Sequence, residues 1–294
     1  MIRLQTPVTD ERCKVGISYK DKIMMLGSCF SDNIGSQLKE FGFEVCINPF
    51  GTLYNPISIL NSVLRLQEVK EFEDDECIQI GAGDERWCSF SHHTSFADGC
   101  KEAFLERANS ALKEAAAHWK ECTTLIVTLG TSWCFRHNDR GITVSNCLKR
   151  HPAEFTRYRL GADEVAKALK GIAETASGCE TPKKIIFTVS PIRHFKDGAH
   201  GNQVSKAGLL LGIEDTMELY HDTCDYFPSF EIMMDELRDY RFYAEDMCHP
   251  TSQAVDYIRE RFLSWALPEE ERGILEENIR KARQARHKPL SLQK

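Results

Sequence analysis

The chain of 294 residues is 42% hydrophobic and 28% charged, a balance that supports a sizeable buried core and excludes disordered and fibrous classes. Its formal net charge of −7 leaves it without the basic surface that binding along a nucleic-acid backbone needs. No apolar stretch reaches the ~18 residues of a membrane helix, residues 1–16 lack the apolar centre of a secretory signal, and the 12 cysteines include no C-x-x-C pair. We therefore expect a cytoplasmic chain with free thiols, no zinc ribbon, no nucleic-acid partner and no membrane partner.

In chain order, "KIMMLG" (22–27) predicts a first buried strand. It ends in the turn Gly27-Ser28-Cys29-Phe30-Ser31, with Asp32 as the expected cap of a helix over 32–42 that places Ile34, Leu38 and Phe41 on one face. Residues 43–47 predict a second strand, which runs into "NPFGTLYNP" (48–56). A long helix follows over 101–121, then a third strand over 124–130 leading to Thr131, Ser132 and Trp133. After a helix over 162–176, the strand at 184–190 opens into "SPIRHFKDGAHGN" (190–202). A helix over 205–222 precedes a fifth strand over 225–233, where Pro228 favours a sheet edge. The loop "EDMCHPTS" (245–252) leads into a helix over 252–267, capped by Thr251 or Ser252.

Residues 70–100 and 133–160 fit neither periodicity and are expected to be insertions over one end of the sheet. The basic stretch 280–288 is expected to end a solvated helix. Strand–helix alternation predicts a parallel sheet with helices on both faces, in one domain with a core over about 20–267 and a helical tail over 268–294.

Ligands of such sheets bind beyond the carboxyl ends of the strands, where several chemistry-bearing residues gather. Cys29 and Ser28 are alternative nucleophiles at a helix start. His249 is the candidate base, and Asp246 three residues earlier is its candidate orienting partner. The backbone N–H of Gly51 and a side chain beside Gly130 are candidate oxyanion donors. Arg193, His194, Lys196 and His200 form a cationic run suited to an anionic group such as a carboxylate or phosphate. Of His92 and His93, adjacent in an extended segment, at most one faces the site; His92 is taken as the candidate. Trp133 is a candidate wall for an acyl pocket. No spacing supports a metal site, and no G-x-G-x-x-G or P-loop follows a strand, so no metal or cofactor is implied.

The order of these motifs resembles the SGNH or GDSL hydrolases, and more closely the GSCFA family. The matching segments are "LGSCFSDNIG" (26–35), "NPFGTLYNP" (48–56), "VTLGTSW" (127–133), "SPIRHFKDGAHGNQVSKA" (190–207) and "EDMCHPT" (245–251). The resemblance implies a three-layer α/β/α sandwich with a flavodoxin-like five-stranded sheet. It places Cys29 where the superfamily has its nucleophilic serine, and Ser28 where it has aspartate. It also places Ser132, with Thr131 beside it, where an oxyanion-hole asparagine stands. A helix start and a nearby imidazolium are expected to lower the Cys29 pKa. Two functions stay open: acyl transfer on a small-molecule ester or thioester, with water or a sugar hydroxyl as acceptor, and a noncatalytic small-molecule or glycan-binding domain on the same frame.

Overall fold

Apolar runs bounded by small residues build the first half of the chain into β1 (Lys22–Gly27), α1 (Cys29–Glu40), β2 (Glu44–Ile47), α2 (Pro56–Glu68), β3 (Ile78–Gln79), β4 (Trp87–Cys88) and α3 (Lys101–Glu121). Next come β5 (Thr124–Leu129), β6 (Trp133–His137), β7 (Thr143–Val144), β8 (Phe155–Arg159) and α4 (Ala162–Ser177). The chain continues through β9 (Lys184–Val189), α5 (Gly198–Leu219), β10 (Cys224–Phe227), the short α6 (Ser229–Glu231), α7 (Ser252–Ala266) and α8 (Arg272–Arg286). This computed structural model describes residues 6–8 and 13–286, so the readings made for 1–16 and 280–288 lie partly outside the described residues. Among the described residues, no helix is long and apolar enough to cross a membrane.

The central sheet has the order β10-β9-β5-β1-β2 with every pair parallel, the order of flavodoxin-like doubly wound sheets. Strand side chains alternate between two cores. Met24, Leu26, Leu125, Val127, Ile185 and Phe187 meet the face covered by α2, α3, α4 and α5. Ile23, Met25, Ile126 and Ile186 meet α1 and α7 on the other. Burying each such side chain contributes ~1.5–3 kcal/mol, so a one-residue slip in any central strand is strongly disfavoured. At the top of β1 the backbone of Gly27 approaches β5 so closely that a Cβ would stand 2.2 Å from the Thr128 carbonyl oxygen. Only glycine permits that approach, and it sets the height of the following turn.

Several boundaries differ from those expected. The cap of α1 is Ser28, whose hydroxyl accepts from Phe30 N, and the helix starts at Cys29 rather than at Asp32. α2 was not expected at all. α5 starts at Gly198, well before 205, and ends at Leu219. β10 is an edge strand but stops at Phe227; Pro228 and the residues after it turn into helix, because proline carries no N–H for a ladder. The two irregular stretches hold strands of their own. β3 and β4 pair antiparallel, and β6 pairs antiparallel with both β7 and β8. α8 packs Leu275 and Ile279 beside the α1 core, and Asn278 Nδ2 donates to the Phe41 carbonyl.

Candidate active site

A cavity of about 380 Å³ opens at the carboxyl ends of β1, β5 and β9. Cys29, the first residue of α1, lines it together with Ser28. Burial, reinforced by the Asp32 carboxylate, raises the Cys29 thiol above its ordinary pKa, and the backbone N–H groups of Cys29 and Phe30 only partly offset this. The expected lowering is therefore corrected: at this helix start, desolvation outweighs the dipole. Ser28 is buried, with its hydroxyl occupied as the helix cap.

His249 lines the same cavity from the loop before α7. Its Nδ1 meets Asp246 Oδ2 at 2.5 Å, and Asp246 Oδ1 accepts the backbone N–H of both Cys248 and His249 at 2.9 Å. Those two backbone bonds, then the ring, hold the Asp246 carboxyl down at about 2. An ionised Asp246 fixes the proton on Nδ1 and leaves Nε2 as the acceptor. The ring is half-exposed, and no hydrogen bond joins it to Cys29 Sγ among the described residues.

Gly51 does not line the cavity. Its φ of +81° and a virtual Cβ 2.4 Å from His93 Cβ explain the glycine, but its N–H is spent on the Asn48 carbonyl at 2.7 Å. Ser132 is likewise displaced. It is fully buried and turned toward α5, where its N and Oγ contact Ser205 Oγ at 2.9 and 3.1 Å. Thr131 lines the cavity, yet its hydroxyl bonds Ser205 Oγ at 3.0 Å and accepts from Trp133 N. His92 is a core histidine: it is fully buried among Phe50, Phe72 and Phe96, with Nδ1 on Ser89 Oγ at 2.7 Å, and burial pulls it down to about 3.

Arg193, His194 and Lys196 line the cavity, while His200 is exposed on the first turn of α5. Burial first, then the Lys206 charge, pulls His194 down to about 4, so its ring is neutral at pH 7. Arg157 is paired with Asp197 and lies over the Trp133 ring, whereas Arg193 and Lys196 form no ion pair among the described residues. The cavity thus carries excess positive charge.

Asn55 is a lining residue that periodicity did not reveal. It caps α2, its Oδ1 accepting from Ser58 N at 2.9 Å, and its Nδ2 has no partner among the described residues. The signal was available: Asn55-Pro56 is a cap followed by proline at the first helical position. The "HGNQVSKA" motif acts from behind. Asn202 Oδ1 accepts from His194 N at 2.9 Å, Ser205 holds Thr131 and Ser132, and Lys206 Nζ donates to the carbonyls of Gly130 and Ser190 at 2.7 and 2.8 Å.

Comparison with known proteins agrees with the motifs. The model of the GSCFA family matches residues 22–262, and the chain belongs to that family. No curated protein matches the sequence. Among solved structures, one from Streptococcus pneumonia named for platelet activating factor aligns at 14% identity and a TM-score of 0.38, covering 83% of this chain and 84% of its own. An acetyl xylan esterase from the rumen bacterium Butyrivibrio proteoclasticus aligns at 12% identity and a TM-score of 0.42, covering 84% of this chain and 63% of its own.

Proposed function

We propose that this GSCFA chain is an acyl-transfer enzyme acting on an ester or thioester, with Cys29 as nucleophile, His249 as base and Asp246 as its orienting partner. The observation that carries the reading is that the Cys29 thiol and an imidazole locked by an ionised Asp246 line one cavity of about 380 Å³. Cys29 is favoured over Ser28 because the serine hydroxyl is committed to the helix cap.

As Cys29 Sγ bonds to the carbonyl carbon, its proton passes to His249 Nε2 and the carbonyl π pair moves onto oxygen. A thiol with a raised pKa needs such a base, since it is not a thiolate by itself. The N–H of Cys29, which has no intrahelical acceptor at the first position, and Asn55 Nδ2 take the place of Gly51 and Ser132 as oxyanion donors. The charges of Arg193 and Lys196 favour the same developing anion. Collapse expels the alcohol, protonated by His249, and leaves an acyl thioester on Cys29. Water or an acceptor hydroxyl then attacks that thioester and gives its proton to His249 Nε2; collapse breaks the S–C bond, the product acid or ester leaves, and His249 returns the proton to Cys29 Sγ.

Incubation with a panel of acyl esters, followed by intact-mass analysis, is expected to show a Cys29-linked acyl adduct in the wild type. Cys29→Ala and His249→Ala are expected to lose both adduct and turnover. Equal turnover in wild type, Cys29→Ala, Ser28→Ala and His249→Ala would end the reading and favour a binding domain, for which the missing Cys29–His249 hydrogen bond speaks.

A further inference from the structure

A second cavity, of about 320 Å³, adjoins the first, and Ser145 lines both. The two walls pass from one cavity to the next in step. On α2, the Asn55 cap faces the first and Ser58 the second; on the facing strand, Val144 belongs to the first and Thr143 to the second. We propose that this second cavity is a subsite for a neutral, hydroxyl-rich ring, a saccharide unit of the substrate whose ester enters the Cys29 cavity.

Three observations carry the assignment. First, the volume falls in the range of small-molecule sites, about 300–1,000 Å³. Second, Ser58 is 1% exposed and its hydroxyl has no partner among the described residues. A buried unsatisfied hydroxyl is destabilising unless something in the cavity bonds it. Third, the groups left open are uncharged: Ser58, Asn61, Ser91 and Ser145 make no side-chain oxygen or amide bond among the described residues. Two ions of this cavity, Arg65 and Glu76, are closed on each other. Arg65 lies on the Phe72 ring at 3.8 Å, pairs with Glu76 at 2.6 Å and donates from Nη1 to the carbonyls of Lys70 and Glu71. Glu68 and Lys70 add one charge of each sign. A phosphate or carboxylate meets here one open cation, Lys70, set against the carboxylate of Glu68, whereas the first cavity offers Arg193 and Lys196 together; hydroxyls find the open groups of Ser58, Asn61, Ser91 and Ser145.

The inference rests on the ester-acting reading for its link to chemistry, and its test is separable from that reading. Binding of unesterified xylotriose, cellotriose and chitotriose to the full chain is measured by saturation-transfer NMR and calorimetry, with glucose 6-phosphate as the charged control. At least one neutral trisaccharide is expected to bind more tightly than the control. Asn61→Trp, an exposed change that fills the mouth, is expected to weaken binding by about tenfold or more, the loss of a charge-neutral pair of hydrogen bonds and a ring contact. Ser58→Ala, which removes the open hydroxyl with little steric change, is expected to weaken it less. If no neutral trisaccharide binds, or if Asn61→Trp binds as the wild type does, the subsite is refuted. Turnover of 4-nitrophenyl acetate reads the ester chemistry alone, so a saccharide that binds to a chain without that turnover upholds the subsite and removes its catalytic link.

Discussion

Lys183 and Lys206 are each 1% exposed, one below the central sheet and one above it. Lys183, just before β9, donates to the carbonyls of Cys122 and Thr181 at 3.1 and 3.0 Å and lies over the Trp119 ring. Lys206, on α5, donates to the carbonyls of Gly130 and Ser190 and lies over the Phe230 ring. The chemistry is the same: an ammonium group satisfies carbonyls that the strand ends leave open. What differs is where those carbonyls lead. From Gly130 and Ser190 the chain enters the loops that carry Thr131, Trp133, Arg193 and His194 into the cavity, while Cys122 and Thr181 lead only into β5 and β9. One clamp holds the fold, and the other holds the fold and the walls of the cavity.

That contrast presupposes that the cavity beside the upper clamp does chemistry, which is tested most severely at two other lining residues. Under the proposed function, Cys29→Ala and His249→Ala are each expected to lower acyl turnover by on the order of 10³-fold or more without changing the melting transition, as removal of a nucleophile or its base does in covalent enzymes. Retained turnover in either, read with a saturating ester, would break the assignment. Asn55→Asp comes next. Aspartate caps a helix as well as asparagine but offers no amide hydrogen, so stability should hold while turnover falls by on the order of 10²-fold. A fall in stability with unchanged turnover would reduce Asn55 to a cap.

The sheet itself was legible because its side chains obey one rule. Buried strands such as 124–129 are short runs of apolar and β-branched residues buried throughout, and the order of strands follows from handed crossovers. α2 follows directly on the Gly51 loop, and Asn55-Pro56 with Ile59, Val63 and Leu66 at helical spacing marks it. The short strands of 133–159 were hidden because β6, "WCFRH", interleaves cavity-facing and buried positions without an apolar face. In the site, the dyad of Asp246 and His249 lies three residues apart on one loop, where spacing alone brings two side chains together. Gly51, Ser132 and His92 stand apart from the cavity lining for a different reason. Whether an N–H is already bonded, or a side chain turns toward a helix, is decided by distant partners such as Asn48 and Ser205, and no local pattern encodes it.

A direct comparison of the clamps uses Lys206→Met and Lys183→Met, which keep length and remove donors. Each leaves two carbonyls unsatisfied, at about 1–3 kcal/mol apiece, so both should unfold at lower urea concentration by similar amounts. Only Lys206→Met should then lower kcat of the folded fraction, by about tenfold, since a displacement of the β5 and β9 loops misplaces the cavity walls. Equal kcat in the two variants would show that the loops hold their positions without the upper clamp.

The smallest effect concerns pH. Burial pulls Lys206 down to about 7, while in the unfolded chain it titrates near its ordinary value of about 10.4. Between those two values the unfolded chain binds more protons at this site than the folded one, so the contribution of Lys206 to stability rises with pH across that window and is least below it. The buried thiols act in the opposite direction, because burial raises Cys134 to about 12 and Cys122 to about 11, and an unfolded chain ionises them sooner. The wild-type curve alone therefore mixes both signs. The difference between wild type and Lys206→Met cancels the thiols, and between pH 7 and pH 9 it should shift in favour of the wild type by about 2 kcal/mol. Lys183→Met, treated identically, measures whether the lower clamp shares this dependence. A Lys206 difference that stays flat would mean that the two carbonyls keep its ammonium charged throughout, and the two clamps would then differ only in what they hold.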